Sequence, residues 1–433
     1  MTLKEIENFG IIGAGGAGFP THAKLNSKPD TIIMNAAECE PLLHKDMTLI
    51  LHHSDEILEG FKTVMEITGA KQGIIGIKNK HAEEIELLNS KVSGNIKIIE
   101  VEDVYPAGDE VTLIYMTTKR IVPPGGLPIS VGCVVQNVET LFNIGMNKPV
   151  IEKFISVAGA VEEPATIKVP VGITYAEVLS HFNITVSNYV IRSGGLMMGI
   201  LEDDLNKVIS KRTGALIVLP EDHHCVTMYK RFPNEHATDI IAKAACDQCS
   251  YCTEFCPRYL LGQPVRPEIA MRNRMFSREE QPMLSVGNLS CCECNLCTMY
   301  SCPEGLDPRG ATVIEKRLAR EQNLKWSGDD ITVHPMYEYR KVPTQKLMQR
   351  LDVLSFKDEG PYKELNIYPK VVRIPLDQHV GAPAQPVVKD GDLVRKYNLI
   401  AKASGKISSN VHASINGVVE KVTTKEIMIY KTE

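Results

Sequence analysis

The chain has little that would tie it to nucleic acid, to a bilayer or to an oxidising compartment. Its 48 Lys and Arg are outnumbered by 53 Asp and Glu, for a formal net charge of −5. No cluster of cations stands out, so the phosphate-neutralising surface of a nucleic-acid binder is missing. No apolar run approaches the ~20 residues needed to span a membrane. The opening Met1-Thr-Leu-Lys-Glu-Ile-Glu7 lacks the hydrophobic core of a signal peptide, which predicts a cytoplasmic protein. At 433 residues one core does not suffice, and two to four domains are expected.

Cysteine, by contrast, is concentrated. Nine of the twelve lie between Cys246 and Pro303. The first run reads Cys246-Asp-Gln-Cys249-Ser-Tyr-Cys252-Thr-Glu-Phe-Cys256-Pro257, and the second Cys291-Cys292-Glu-Cys294-Asn-Leu-Cys297-Thr-Met-Tyr-Ser-Cys302-Pro303. The first is the C-x2-C-x2-C-x3-C-P run of two-cluster ferredoxins, and the second repeats it with one residue inserted before the last cysteine. Three cysteines at two-residue gaps wrap one tight loop around three corners of a cubane, so the fourth ligand comes from elsewhere. In the ferredoxin arrangement each Cys-Pro reaches across to the other cluster. That assigns Cys246, Cys249, Cys252 and Cys302 to one [4Fe-4S] centre, and Cys291, Cys294, Cys297 and Cys256 to the second, with Cys292 left over. Zinc ribbons use separated pairs, not two triplets each closed by Cys-Pro, and disulfides need an oxidising compartment. Two clusters in a reducing compartment suggest an anaerobic electron-transfer protein.

Residues 1 to about 148 alternate short apolar runs, Thr31–Met34 and Gly73–Ile77, with helical stretches, His53–Gly69 and His81–Leu88. That alternation predicts an α/β layer fold with a mostly parallel sheet. Its first loop, Gly13-Ala-Gly15-Gly16-Ala-Gly18-Phe19-Pro20, follows the apolar Phe9–Ile12. The loop satisfies G-x-G-x-x-G, with Glu38 about 20 residues on, as in a dinucleotide fingerprint. The preceding strand is very short, however, and Phe19-Pro20 interrupts the point where a long helix should continue. Glycines still let backbone N–H groups come close to a phosphate. Three further segments stand out: Asn35-Ala-Ala-Glu38-Cys39-Glu40-Pro41, Tyr105-Pro-Ala-Gly108-Asp109-Glu110, and Val134-Val-Gln136-Asn137-Val-Glu139-Thr140.

Together with the loop, these segments resemble the flavin- and NADH-binding subunit of respiratory complex I and, more closely, the RnfC/PduS family, whose matching segments surround FMN. The resemblance implies that Gly13, Gly15 and Lys24, with Gly16 and Gly18 of the same loop, hold the phosphate side of a non-covalent FMN. It implies that Asn35, Glu38, Gly108, Asp109, Gln136, Asn137 and Thr140 line the rest. Glu40 and Glu110 are then expected to face the nicotinamide as the catalytic pair, and Phe19 to stack on the adenine. Ala14, Ala37 and Cys39 depart from the complex I motif, where arginine, aspartate and glycine stand. No arginine pair accompanies these motifs, so NADH is expected over NADPH.

The remaining segments extend the resemblance. Residues 149–238 read as strand, turn, strand and one helix from Thr174 to His181, a small β-grasp of the soluble-ligand-binding (SLBB) kind. His223-His224-Cys225 is read as structural or surface, because adjacent side chains rarely converge on one ion. Residues 239–325 hold the two-cluster, ferredoxin-like module, whose middle, Pro264 to Met283, looks helical and carries Arg266, Arg272, Arg274 and Arg278. Residues 326–369, polar with scattered Pro and Gly, are expected to be a linker. Residues 370–433 carry Asp390-Gly391 and Asn416-Gly417 hairpin signals and resemble a barrel-sandwich hybrid, with no lysine at the hairpin tip of a swinging carrier arm.

The expected whole is a multidomain α/β and α+β protein with a Rossmann-like FMN/NADH domain. NADH gives up two electrons as a hydride, whereas each cluster carries one at a time, and a flavin between them reconciles the two. The resemblance implies an NADH-dependent oxidoreductase with cobalamin as acceptor. Its alternatives are a relay serving a partner reductase or ferredoxin, and a docking protein of a larger assembly such as a microcompartment.

Overall fold

The computed structural model describes residues 1–232, 234–276, 286–328 and 331–432. Two short helices, α1 (Leu3–Asn8) and α2 (Thr21–Leu25), precede β1 (Thr31–Ala36). There follow α3 (Lys45–Thr68), β2 (Gln72–Lys78), α4 (Ala82–Lys91), β3 (Ile96–Val101), the two-residue β4 (Val104–Tyr105), α5 (Glu110–Thr118), β5 (Cys133–Asn137) and α6 (Val138–Gly145). The sheet is parallel, in the order β3-β2-β1-β5. β1 and β2 are nearly continuous apolar runs because helices cover both faces of a parallel sheet. Helices α3 and α6 cross at Gly60 and Gly145, where a Cβ would lie 1.9 Å from the Leu141 or Glu56 carbonyl oxygen. No residue larger than glycine permits that approach, and it sets where the first turn of α6 points.

Two expectations are corrected here. Phe9–Ile12 is not a strand; Ile12 makes a single bridge to Pro20 across the glycine-rich loop. The loop therefore closes on itself and does not join a strand to a helix, because Phe19-Pro20 turns the chain back before α2. Helix α3 also begins at Lys45, eight residues before the predicted His53, and is bent where His53 leaves helical geometry. Its first turn, Lys45-Asp46, is polar because it faces a charged network, which hides it from a search for apolar periodicity.

The second domain is a five-stranded sheet in the order β7-β6-β10-β8-β9. Its strands are β6 (Glu152–Gly159), β7 (Ala165–Pro170), β8 (Tyr189–Ser193), β9 (Ile200–Glu202) and β10 (Ala215–Pro220). The central β6 and β10 are parallel and their neighbours antiparallel, covered by α7 (Tyr175–Leu179), the β-grasp layout. After α8 (His224–Lys230), α9 (Glu235–Ala245) leads into the cysteine module and ends at Cys246. Arg274 forks onto Asp239 at 2.6 Å with both nitrogens, Arg266 pairs with Glu268 at 2.6 Å, and Arg272 is exposed. Arg278 and the rest of the predicted helix to Met283 lie outside the described residues.

The expected linker is a packed strap. Val342-Pro343 pairs antiparallel with β4, Thr344 bonds Asp103, and Thr166 and the 361–363 stretch exchange backbone hydrogen bonds. Its apolar residues, including Val342, Leu347, Leu351 and Val353, are buried against the cysteine run and the β-grasp sheet. They follow no single period, so the sequence pattern conceals them. The C-terminal strands form two facing antiparallel sheets that share a core with Val171 of the β-grasp domain.

Candidate functional site

The candidate pocket lies at the carboxyl ends of β1 and β5, where successive connections leave to opposite sides and a parallel sheet opens its ligand crevice. Asn35 and Asn137 are register partners there. Asn35 Nδ2 donates to the Gly108 carbonyl at 2.9 Å while its Oδ1 accepts from Ala37 N–H, tying two turns together. A Cβ on Gly108 would lie 2.6 Å from the Ala37 carbonyl and 3.2 Å from Cys39 Sγ. Cys39 is thus a small filler between these turns, its thiol pushed up to about 12 by burial. Thr140 Oγ1 accepts the Ala14 N–H at 2.9 Å, and Gly15 packs on Asn137. Glu38 accepts the Asp46 N–H; loss of hydration, then the charge of Asp46, raises its carboxyl to about 7.

The proposed nicotinamide pair is placed otherwise than expected. Glu40 is engaged by the β-grasp domain: its two oxygens accept the N–H groups of Met197 and Met198, each at 2.8 Å. Gly195 sits so close that a Cβ would meet the Glu40 carboxyl carbon at 2.6 Å. Glu40 is therefore an interdomain clamp; burial raises its pKa, and the hydrogen bonds from those amides partly offset the rise. Lys24 and Glu110, expected at different ends of the ligand, pair with each other at 2.6 Å. Phe19 is half-buried, and its carbonyl closes the loop by accepting the Gly13 N–H.

Beneath the loop lies a charged network that sequence reasoning missed. Lys153 of β6 donates to the Ala14 carbonyl at 3.1 Å and pairs closely with Glu139. Glu139 also lies 3.3 Å from Lys45, which holds Asp46 at 2.5 Å, and Asn137 donates to the other oxygen of Asp46 at 2.7 Å. All four charged side chains are less than a tenth exposed. Burial pulls Lys153 down to about 8. The available signal was a lysine near the start of a mostly apolar strand. Arg212 of the β-grasp domain likewise reaches the loop, Nε to the Gly16 carbonyl at 3.1 Å.

Each crossed set of cysteines comes together. Cys246, Cys249, Cys252 and Cys302 line one depression. Cys256, Cys291, Cys294 and Cys297 form the second group; burial, followed by neighbouring sulfurs, pushes the Cys256 and Cys297 thiols up. Among the described residues no three His, Cys, Asp or Glu side chains converge as ligands of a single ion. Two groups of four thiols match the ligand requirement of two cubanes. Cys292 lies against Cys294 and Arg258. Arg258 pairs with Asp109 at 2.7 Å, and the Tyr105 hydroxyl donates to the Cys294 carbonyl at 2.7 Å. His223 caps α8 and Cys225 is buried, consistent with a structural role for that trio.

Two further observations at the loop and at β5 fit a bound ligand. A Cβ on Gly16 would meet nothing within 4 Å. The buried Gln136 Nε2, at the end of β5, has no hydrogen-bond partner among the described residues.

Fold and site together define an iron–sulfur flavoprotein of the oxidoreductase class. Residues 6–146 match the Nuo51 FMN-binding domain, 245–307 a 4Fe-4S dicluster domain, and 357–432 the RnfC barrel sandwich hybrid domain. The chain is 37% identical to the cobalamin reductase PduS of Citrobacter freundii, covering 100% of this chain and 97% of the relative. It is 36% identical to that of Salmonella typhimurium, covering 98% and 94%. It belongs to the PduS cobalamin reductase family. A subunit of the proton-translocating ferredoxin:NAD(+) oxidoreductase complex of Clostridium ljungdahlii is 32% identical over 60% of this chain and 57% of its own length. An NAD+-reducing [NiFe]-hydrogenase chain in the H2-reduced state shares the fold, with TM-score 0.50 and 18% identity over 76% of this chain and 63% of its own. Among the described residues no helix is long and apolar enough to cross a membrane.

Proposed function

We propose that this protein accepts electrons from NADH at the pocket bordered by residues 13–19, 35–40 and 108–110, and passes them through FMN and two [4Fe-4S] clusters to cobalamin. One observation carries the reading: the turn from Tyr105 to Glu110 that borders the pocket is bonded directly to the second cysteine run at Cys294 and to the end of the first at Arg258. The Asp109–Arg258 pair and the Tyr105–Cys294 hydrogen bond fix that junction, and Cys292 lies within it. We accordingly assign residues 1–148 to flavin and NADH, 149–238 to the clamp over the pocket, 239–325 to the clusters and 370–433 to a scaffold.

The bound flavin supplies the step between a two-electron donor and one-electron clusters. The chain's own part is to hold and to insulate. Gly15 and Gly16 offer backbone donors to a phosphate, the Gly13 N–H being taken by the Phe19 carbonyl, and Gln136 offers an amide N–H2. Glu38, near neutrality in its pKa, can hold or release a proton beside the pocket at physiological pH. Glu40 closes the β-grasp domain over that edge and keeps water out.

The test is an anaerobic assay of the isolated chain with NADH and a panel of acceptors. NADH-dependent reduction of free cobalamin is the expected result. If reduction appears only with an added redox protein, a relay role replaces the enzyme. A chain that co-purifies with a microcompartment and reduces neither acceptor is a docking protein.

A further inference from the structure

Three separate parts of the chain meet at the glycine-rich loop. Gly18 O accepts Val380 N–H from the C-terminal hybrid domain at 3.0 Å. Arg212, from the turn before β10, lays its stem over Gly18, where a Cβ would meet Arg212 Cδ at 2.8 Å, and bonds the Gly16 carbonyl through Nε. The two terminal guanidinium nitrogens of Arg212 have no hydrogen-bond or ion-pair partner among the described residues, and the side chain is exposed. The N–H groups of Gly15, Gly16, Ala17 and Gly18 likewise have no acceptor among the described residues. Gly15, Gly16 and Ala17 are exposed. Successive free N–H groups on a glycine turn form an anion-binding concavity, and a guanidinium presents a planar fork suited to phosphate oxygens.

We infer that Arg212 is a phosphate-binding residue, supplied by the β-grasp domain to complete an anion site on the lip of the loop. The inference rests on the flavin and NADH assignment above. It gives the β-grasp domain a direct role in binding ligand. The phosphate has two possible sources, the FMN monophosphate and the diphosphate of the dinucleotide. Holding the Gly16 carbonyl with Nε keeps the guanidinium beside the same loop whose N–H groups are free. A lysine there could supply the charge but not both contacts at once.

The experiment compares each phosphate-bearing ligand with its phosphate-free counterpart in wild type, Arg212→Gln and Arg212→Lys. Flavin affinity is read from fluorescence quenching when flavin-free protein takes up FMN or riboflavin. Nucleotide use is read from stopped-flow bleaching of the bound flavin by NADH or by reduced nicotinamide riboside. Loss of a charge-assisted contact predicts a decrease on the order of ten- to hundredfold. If Arg212→Gln weakens FMN but not riboflavin, the site takes the flavin phosphate. If flavin binding is unchanged and only NADH is handled worse, it takes the dinucleotide diphosphate. In either case Arg212→Lys should recover part of the loss. Equal losses for ligands with and without phosphate would reduce Arg212 to a structural prop and overturn the inference, as would no loss at all. A wild-type chain that binds neither flavin would instead overturn the functional assignment, and this inference with it.

Discussion

Glu40 shows how a carboxylate that motif comparison places at a reaction centre can be occupied by architecture. Each of its oxygens satisfies one backbone N–H of the β-grasp loop. Glu40→Ala should leave both amides without that partner, at a cost of about 1–3 kcal/mol for each donor left unsatisfied. Hydrogen exchange at Met197 and Met198 should accelerate accordingly, and unchanged exchange would show that the clamp is unimportant. Cysteine substitutions test the cluster ligands one atom at a time. The wild type should hold about eight iron and eight sulfide per chain. Cys294→Ser should lose about half, whereas Cys292→Ser should retain all of it by elemental analysis. Zinc in place of iron would overturn the assignment.

The glycine-rich loop is held as an element from both sides, by Thr140 on the Ala14 N–H and Lys153 on the Ala14 carbonyl. Strand β6 belongs to the neighbouring domain, so the loop's position depends on domain packing as well as on its own turns. Lys153→Met removes one cation from a buried four-charge network and leaves Lys45 as the remaining cationic partner of Glu139. Breaking a buried pair in this way costs about 3–5 kcal/mol, toward the lower end here because Lys45 stays. A lower melting temperature and weaker FMN retention on gel filtration are expected together. Lost flavin with an unchanged melting temperature would mean that the network serves the ligand alone.

Across the whole molecule, Lys211 joins three parts: its Nζ donates to the Gly10 carbonyl at 2.7 Å and the Asn410 carbonyl at 3.1 Å. Burial lowers its pKa from 10.5 to about 7. Between about pH 7 and the ordinary lysine value the unfolded chain keeps the proton that the folded chain has released. Stability contributed by this site therefore rises with pH across that window, with a slope of up to about 1.4 kcal/mol per pH unit. Below pH 7 both states hold the proton and the buried charge is a standing cost. Lys211→Met should flatten this part of the pH profile in chemical denaturation. An identical profile in the variant would place the proton elsewhere.

The two cysteine runs were legible because a cubane takes three thiolates from one tight loop, so ligand spacing is a local property of the chain. The β-grasp and hybrid domains were legible from short strands, hairpin glycines and resemblance. The strap over 337–363 was not, because its buried residues follow no period and each fills a gap in someone else's core. Charged residues that reach the pocket were harder still. Lys153, Arg212 and Arg258 meet Ala14, Gly16 and Asp109 across 139, 196 and 149 residues of chain. A lone lysine or arginine in a strand or turn carries no mark of its partner until the domains close. Local ligand spacing thus named the clusters, and resemblance named the flavin. Domain packing decided which side chains face them, because desolvation and charge pairing exist only once distant segments exclude water together.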